Sequence, residues 1–118
     1  MATILLVDDD EGFRHAASWH LNDAGYDVIP LATTTEALEE LDAGRPIDLA
    51  VLDIHMPRGH AHGYALARMA RARRPRLPIL FVTGYSELAA AEGDQGKVLL
   101  KPFKLRRLTD EIKARLAA

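Results

Sequence analysis

Short, continuously apolar runs alternate along the chain with stretches in which apolar residues recur every three or four positions. The apolar runs are ILLV (4–7), DVIPL (27–31), LAVLD (49–53), PILFVTG (78–84) and KVLLK (97–101). Apolar runs of this length, without regular polar alternation, are typical of strands that are buried on both faces of a parallel sheet. The pattern therefore predicts five parallel strands.

Between these runs, apolar residues recur at helical spacing, and glycines mark the expected helix ends. Gly25 and Gly44 stand where the first two helices should stop. The predicted helices are about 12–24, 34–44 with Thr34 or Thr35 as the N-cap, about 62–74, a short segment at 86–92, and the apolar stripe 105–116. Strands that alternate with helices form right-handed βαβ units. The predicted fold class is therefore α/β, a doubly wound (βα)5 sandwich with a five-stranded parallel sheet.

Composition narrows the class of protein. The chain has 118 residues, a formal net charge of -2 and no cysteine. This length supports one hydrophobic core, so we expect a single domain over 1–118, and no output domain because the last predicted helix reaches the end of the chain. The charge favours neither a nucleic acid nor a membrane as partner, and the lack of cysteine excludes disulfides and zinc–thiolate sites. No run has membrane-spanning length and no signal segment is evident, so we expect a cytoplasmic protein.

Charged and hydroxyl side chains follow four of the predicted strands. Asp8 and Asp9 follow the first strand, Asp53 ends the third, Thr83 lies at the end of the fourth, and Lys101 ends the fifth. Carboxyl ends of parallel strands meet at one edge of the sheet, where ligands bind. Carboxylates there suit Mg²⁺, with Asp9 and Asp53 as ligands and Asp8 in support. A carboxylate beside Mg²⁺ and a lysine can attack phosphorus, while the lysine and a hydroxyl bind the phosphoryl oxygens.

Four motifs occur at these strand ends in one order, VDD (7–9), LDIHMP (52–57), FVTG (81–84) and KPF (101–103). Together they resemble the receiver domain of bacterial two-component response regulators, and the resemblance covers essentially the whole chain. It implies a flavodoxin/receiver-like sheet with the strand order 2-1-3-4-5. The Gly and Tyr after the fourth strand are similar to those of stand-alone receivers and of receivers fused to kinases.

The resemblance assigns roles to the acidic residues. It implies that Asp53 is the phosphoacceptor and that the cofactor is Mg²⁺. Asp9 is the direct metal ligand, Asp8 acts largely through water, and the backbone carbonyl of His55 completes the protein ligands. The resemblance does not imply a conventional enzyme that acts on small molecules. Such a receiver catalyses its own phosphorylation and a slow autodephosphorylation.

The resemblance also implies a switch and its partners. A sensor histidine kinase or a histidine phosphotransfer protein donates the phosphoryl group. The side chain of Lys101 reaches this group, and the peptide bond between Lys101 and Pro102 is expected to be cis. Phosphorylation then draws the hydroxyl of Thr83 inward and remodels the face formed by the fourth predicted helix (86–92), the fifth strand and the last helix. The downstream protein is unidentified, and the receiver is expected to be a monomer or a phosphorylation-dependent homodimer.

Three features depart from the family pattern. Val98 stands where many receivers carry an aromatic switch residue, and Tyr85 is a candidate to take over part of that role. The segment between Thr83 and Lys101 is short, so the fourth helix is expected to be abbreviated or irregular. The loop 58–63 is about two residues longer than usual and is a candidate to affect partner access or dephosphorylation.

Two other function classes remain open. A constitutive interaction module with this fold but little phospho-switching is favoured by Val98 and the short fourth helix. The other class is a metabolic enzyme on the same fold. A phosphatase of the haloacid dehalogenase type needs a second aspartate at the position of His55, so this residue argues against it. Dinucleotide or flavin binding needs a phosphate-cradling loop after the first strand, and the loop here is acidic.

Other conspicuous residues have ordinary interpretations. Asp10 and Glu11 are expected only to favour the start of the first helix through its dipole. The basic run ARMARARRPR (67–76) is expected to be a solvated helix face. Trp19 is expected to be partly buried in packing, with docking of a kinase on the first helix as the alternative.

Overall fold

The computed structural model describes residues 1–55, 63–85 and 96–117. In order along the chain, its elements are β1 (Thr3–Val7), α1 (Glu11–Asp23), β2 (Asp27–Leu31), α2 (Thr34–Asp42), β3 (Leu49–Asp53), α3 (Gly63–Arg73), β4 (Ile79–Thr83), β5 (Val98–Leu100) and α4 (Leu105–Ala117). The predicted helix at 86–92 and most of the long loop lie outside the described residues.

All five strands pair in parallel in the order β2-β1-β3-β4-β5. This order and the helices between the strands confirm the predicted doubly wound α/β fold. Because β1 pairs with β2 on one side and β3 on the other, the sheet order reverses at β1, and a crevice is expected at its carboxyl end. Val7, the last residue of β1, is in register with Leu52, so β1 and β3 end side by side.

The hydrophobic core lies in two layers, one on each face of the sheet. Every residue of β3 and β4 is buried, and successive side chains of a strand point to opposite faces. Leu5, Leu52 and Phe81 pack with apolar residues of α2 and α3. Leu6 and Val82 pack with apolar residues of α1 and α4. Burial on both faces is the physical reason why these strands read as continuous apolar runs.

The N-cap of α2 is Thr33, so the prediction of Thr34 or Thr35 was wrong. Thr33 has extended backbone (φ -131°, ψ 156°), and its Oγ1 accepts a hydrogen bond from the Glu36 N–H at 3.1 Å. Glu36 Oε1 in turn accepts from the Thr33 hydroxyl and from the Ala32 N–H. Thr34 is already helical and buried. The T-x-x-E spacing of a capping box was present in the sequence at 33–36 and marks the correct residue.

Trp19 is 73% exposed, so the prediction of partial burial was wrong. The buried residues of α1 are Ala17 and Leu21, four positions apart. Trp19 lies two positions from each of them, which is about 200° around the helix. Its indole therefore points to solvent.

The basic run on α3 is more than a solvated face. Arg73 Nε lies 2.8 Å from Asp42 Oδ1. Arg74 donates from Nη1 to the Arg45 carbonyl at 2.7 Å and from Nη2 to the Leu41 carbonyl at 2.9 Å. Carbonyls at a helix end have no partner within the helix, so these arginines tie the end of α3 to the end of α2.

Within the described ranges, no helix has the length and apolarity to cross a bilayer.

Candidate functional site

Three aspartates meet where β1 and β3 end. Carboxylate oxygens of Asp8, Asp9 and Asp53 lie within 4.8 Å of one another. Asp8 is fully buried and Asp53 is 6% exposed, whereas Asp9 is open to solvent. Buried, closely spaced carboxylates repel each other and are expensive without a cation. The donor set is therefore one that suits a hard divalent ion with access from the Asp9 side.

The buried Asp8 is held by partners on both its main chain and its side chain. Its N–H donates to the Leu31 carbonyl at 3.0 Å, which extends the pairing of β1 with β2. Its own carbonyl accepts from Arg14 Nη1 at 2.8 Å. Oδ1 accepts from the Asp10 N–H at 2.9 Å, and Oδ2 accepts from Lys101 Nζ at 2.7 Å. With these bonds in place, the carboxylate has one orientation.

Asp10 does more than favour the start of α1 through the dipole. Its backbone is extended (φ -76°, ψ 105°) and its carboxylate accepts from the Phe13 N–H at 3.2 Å, so it is the N-cap. This is a finding beyond the sequence-based interpretation, which gave it only a long-range electrostatic effect. The cap positions Phe13 at the rim of the site.

Asp53 ends β3 and turns its side chain back on the following loop. Its Oδ1 accepts from the His55 N–H at 3.1 Å. Behind it, the Gly63 N–H that opens α3 donates to the Ile54 carbonyl at 2.9 Å. A Cβ at Gly63 would lie 2.4 Å from the Asp53 carbonyl oxygen, which is too close for any side chain. Gly63 thus lets α3 pack directly behind the carboxylate, a role that its sequence position alone did not reveal.

The electrostatic balance at Asp53 is unfavourable to its anion. Burial, and then the charge of Asp8, raise the pKa of Asp53 from its ordinary value of 3.8 to about 8, while Lys101 opposes the rise. One ammonium does not offset the effects of desolvation and a neighbouring carboxylate. A bound dication would reverse this balance and return Asp53 to its ionised form.

The fourth and fifth strands bring the hydroxyl and the ammonium. Thr83 is fully buried, and its Oγ1 accepts from the Tyr85 N–H at 3.2 Å. The Lys101 N–H donates to the Thr83 carbonyl at 2.7 Å, and the Lys101–Pro102 peptide is cis, as expected. The ring of Tyr85 lies against that of His55, with centroids 4.3 Å apart and planes tilted by 38°. The two loops that follow β3 and β4 therefore touch above the site.

A cavity of about 220 Å³ opens among these groups. It is lined by Asp9, Asp10, Asp53, His55, Gly84, Tyr85 and Lys101. A larger groove of about 450 Å³ lies next to Ile47 and Pro78, before β3 and β4. Its lining holds a single carboxylate, Asp48, so the smaller cavity is the one whose chemistry fits a metal and an anion.

Comparison with known proteins agrees with this geometry. The family model of the response regulator receiver domain matches residues 4–113. The chain belongs to the response regulator receiver family. Its relatives include the response regulator receiver protein CpdR of Brucella abortus (strain 2308), 38% identical over 122 residues that cover all of this chain and 99% of that protein. They also include the sensor kinase CckA of the same organism, 35% identical over 98% of this chain but only 12% of the kinase.

Solved structures show the same fold. A receiver domain (CheY-like) from Methanospirillum hungatei superposes with a TM-score of 0.87 at 30% identity, covering 99% of this chain and 94% of that one. The response regulator TrrA from Thermotoga maritima, solved in complex with Mg²⁺ and BeF, gives a TM-score of 0.84 at 29% identity, covering 98% and 99%. This receiver domain therefore serves two-component signalling, and its site lies at the edge where its family members are expected to bind ligands.

The structure places each sequence-predicted site residue of this receiver at the carboxyl edge. Asp8 pairs with Lys101, and Asp53 lies beside both. His55 lines the cavity, and the metal-binding role of its carbonyl stays a prediction. Among the residues that support the site, sequence reasoning missed Gly63, behind Asp53, and Arg14, which donates to the Asp8 carbonyl. It also missed Phe13, whose ring meets the Lys101 ammonium.

Proposed function

We propose that this receiver domain is a phosphorylation-dependent switch that accepts a phosphoryl group onto Asp53 from a phosphohistidine of a kinase or phosphotransfer protein. The observation that carries the proposal is the buried Asp53 carboxylate beside Asp8 and Asp9, with Lys101 within hydrogen-bond distance of Asp8. A family member named for a sensor kinase supports the class of donor. A cytoplasmic location, suggested by the sequence, stays a prediction.

The chemistry follows from the charges. A carboxylate oxygen of Asp53 forms a bond to phosphorus while the bond from phosphorus to the histidine nitrogen breaks, and the released imidazole takes up a proton. Lys101 then donates to a phosphoryl oxygen, having exchanged Asp8 for it, and the Thr83 hydroxyl donates to another. When bound by Asp9, Asp53 and the His55 carbonyl, with Asp8 in support, Mg²⁺ would neutralise charge on the phosphoryl group. The Mg²⁺ and BeF complex of a relative supports this cofactor.

The switch acts through the strand ends that hold these groups. Thr83 ends β4, and its main-chain carbonyl is bonded to Lys101 at the end of β5. A phosphoryl group that draws the Thr83 hydroxyl inward would therefore alter the β4–β5 edge, where Leu100 is 43% exposed. We propose this edge, together with the segment before it and α4, as the face that a downstream protein or a second receiver reads.

The decisive experiment is labelling with a small phosphodonor such as phosphoramidate in the presence of Mg²⁺. Wild-type protein should gain one phosphoryl group that hydroxylamine removes, as expected of an acyl phosphate, and Asp53→Asn should gain none. Asp27→Asn, which removes an exposed carboxylate at the start of β2, is the matched control and should label like the wild type. Label that persists in Asp53→Asn would place the phosphoacceptor elsewhere.

A second candidate function is a constitutive interaction module. The observation that favours it is Val98, which stands at the aromatic switch position and packs, partly buried, against the core layer of α2 and α3. NMR titration with Mg²⁺ and then beryllofluoride separates the two functions. Shifts that spread from Thr83 to α4 indicate a working switch. Shifts confined to the acidic cluster would indicate a site that is poorly coupled to the partner face.

Donor docking has its own candidate residue. Trp19 protrudes from α1 beside a groove formed with His15, Ala16, Ser18 and Asn22. Exposed tryptophans are frequent binding hot spots, and their loss typically costs about 2 kcal/mol or more of binding free energy. Trp19→Ala should therefore slow transfer from a phosphohistidine protein about tenfold or more, with labelling by phosphoramidate unchanged. Equal slowing with both donors would show that the substitution damages the site and not docking.

A further inference from the structure

The ring of Phe13 lies against the ammonium of Lys101. Nζ is 4.1 Å from the ring centroid and 2.7 Å from Asp8 Oδ2. Phe103 meets the Phe13 ring edge-on, with centroids 5.8 Å apart and planes at 79°. Phe13 belongs to the first turn of α1, whereas Lys101 and Phe103 belong to the segment after β5. The contact therefore joins the beginning of the chain to its last loop at the rim of the site.

The surroundings make this contact stronger than a surface cation–π pair. The Lys101 side chain is 18% exposed and that of Asp8 is fully buried. An ammonium stripped of most of its water gains more from an aromatic face than a solvated one does. The Asp10 cap fixes the backbone of Phe13, and the Phe103 ring packs against the Phe13 ring, so the ring has supports other than the lysine.

We propose that Phe13 is a positioning residue for Lys101. Its ring holds the ammonium at the edge of the site while the ammonium exchanges Asp8 for a phosphoryl oxygen. A lysine side chain has four rotatable bonds and loses rotamer entropy when it is fixed. With the ring present, that entropy is already lost before the phosphoryl group arrives. This inference deepens the proposed phosphoryl transfer, and its rate measurements rest on that proposed function.

The competing explanation is that Phe13 only fills apolar space, since it also packs against the core layer of α1 and α4. The two explanations differ in what they require of the side chain. Apolar packing needs volume, whereas the proposal needs electron density on a ring face. Fluorine substituents withdraw that density while keeping the ring nearly the same size. Site-specific incorporation of fluorinated phenylalanines at position 13 therefore separates the explanations.

The first measurement is free of any phosphoryl chemistry. In the wild type the Lys101 ε-protons should be shifted upfield by the ring current, and in Phe13→Leu the shift should disappear. Phe13→Tyr should keep it. Lys101 resonances that are the same in wild type and Phe13→Leu would overturn the contact and with it the proposal.

The second measurement is the rate of labelling by phosphoramidate with Mg²⁺. Phe13→Leu should be about three- to tenfold slower, the range expected for the loss of a partly buried cation–π contact. Phe13→Tyr should stay close to wild type, and mono-, tri- and pentafluorophenylalanine should slow the reaction in that order. Leu116→Ala, which removes apolar volume from the same layer far along α4, is the control for packing loss.

The outcomes distinguish the proposal from the function beneath it. A wild type that takes up no phosphoryl group would refute the proposed function, and the Lys101 resonances would still test the ring. If the wild type is labelled and the fluorinated variants all react at the wild-type rate, the role of Phe13 is refuted and the proposed function is not. A graded series together with an unchanged Leu116→Ala rate would establish it.

Discussion

The receiver domain treats charge in opposite ways at two places. Where α2 and α3 end, Arg73 pairs with Asp42, and Arg45 pairs with Glu40. Arg74 donates to the Leu41 carbonyl in the last turn of α2 and to the Arg45 carbonyl just after that helix. Among the described residues at the carboxyl edge of the sheet, the clustered carboxylates of Asp8, Asp9 and Asp53 lie beside one ammonium, that of Lys101. The first arrangement is balanced in the sense that each guanidinium has a carboxylate or carbonyl acceptor, and it only holds helices together. The second is unbalanced, which is costly unless a cation or a phosphoryl group takes part.

The largest effect on phosphorylation should come from removing the Lys101 ammonium from the acidic cluster. Lys101→Ala should lower the rate of phosphoramidate labelling by about 100-fold, the scale on which a single charge-stabilising donor acts in a transition state. The measurement is the initial rate at saturating Mg²⁺. Lys104→Ala, which removes an exposed lysine nearby, should leave that rate unchanged. A Lys101→Ala rate near wild type would show that the imbalance has no catalytic use.

The next effect concerns the backbone behind Asp53. Gly63→Ala should lower the free energy of unfolding by about 2–3 kcal/mol, as overpacking does, because the new Cβ would meet the Asp53 carbonyl. It should also weaken Mg²⁺ binding, measured by NMR titration. Gly12→Ala is the matched control, because its Cβ would have an ordinary 3.5 Å contact and alanine favours a helix. Equal stability of the two variants would contradict the close approach.

The unbalanced edge also predicts a dependence of stability on pH. Without Mg²⁺, the folded state keeps the Asp53 proton up to a pKa of about 8, whereas the unfolded state loses it near 3.8. The contribution of Asp53 to the free energy of unfolding is therefore fully present below pH 3.8 and is lost as pH rises to 8, by at most about 1.4 kcal/mol per pH unit.

Denaturant unfolding of the wild type and Asp53→Asn, with and without Mg²⁺, measures this contribution. The difference between the two proteins should shift in favour of Asp53→Asn as the pH is raised from 4 to 8. Mg²⁺ at pH 8 should stabilise the wild type more than Asp53→Asn. A difference that does not change with pH would mean that Asp53 ionises normally in the folded protein.

The smallest effect should appear at the balanced junction. Arg74→Ala removes two hydrogen bonds from a charged donor and should lower the free energy of unfolding by about 1–3 kcal/mol. Its labelling rate, measured where the protein is fully folded, should equal that of the wild type. Arg68→Ala, an exposed arginine on the same helix, is the control for charge loss. A slower labelling rate in Arg74→Ala would contradict the separation between the structural junction of α2 and α3 and the functional acidic cluster.

Much of the fold could be predicted because its signals are local. DVIPL and LAVLD coincide with β2 and β3 residue for residue. β3 is readable because it is buried throughout, whereas the edge strand β2 buries Ile29 and leaves Asp27 and Pro30 exposed. The N-cap at Thr33 was also readable from T-x-x-E and was overlooked. The exposure of Trp19 was also readable and was misjudged, because position 19 lies about 200° around α1 from the buried Ala17 and Leu21.

The sequence by itself determined the strands and which side chains meet at one edge of the sheet, because apolar runs mark the strands and the residue after each strand is carried to that edge. The order of the strands was implied by the resemblance of the motifs to the receiver family. The tertiary structure alone decided how those groups are supported. The contacts of Gly63 with the Asp53 backbone, of the Phe13 ring with Lys101 and of Arg74 with Leu41 each join different elements of the fold. Such contacts depend on differences of a few tenths of an ångström in packing distance, which no local pattern of residues encodes.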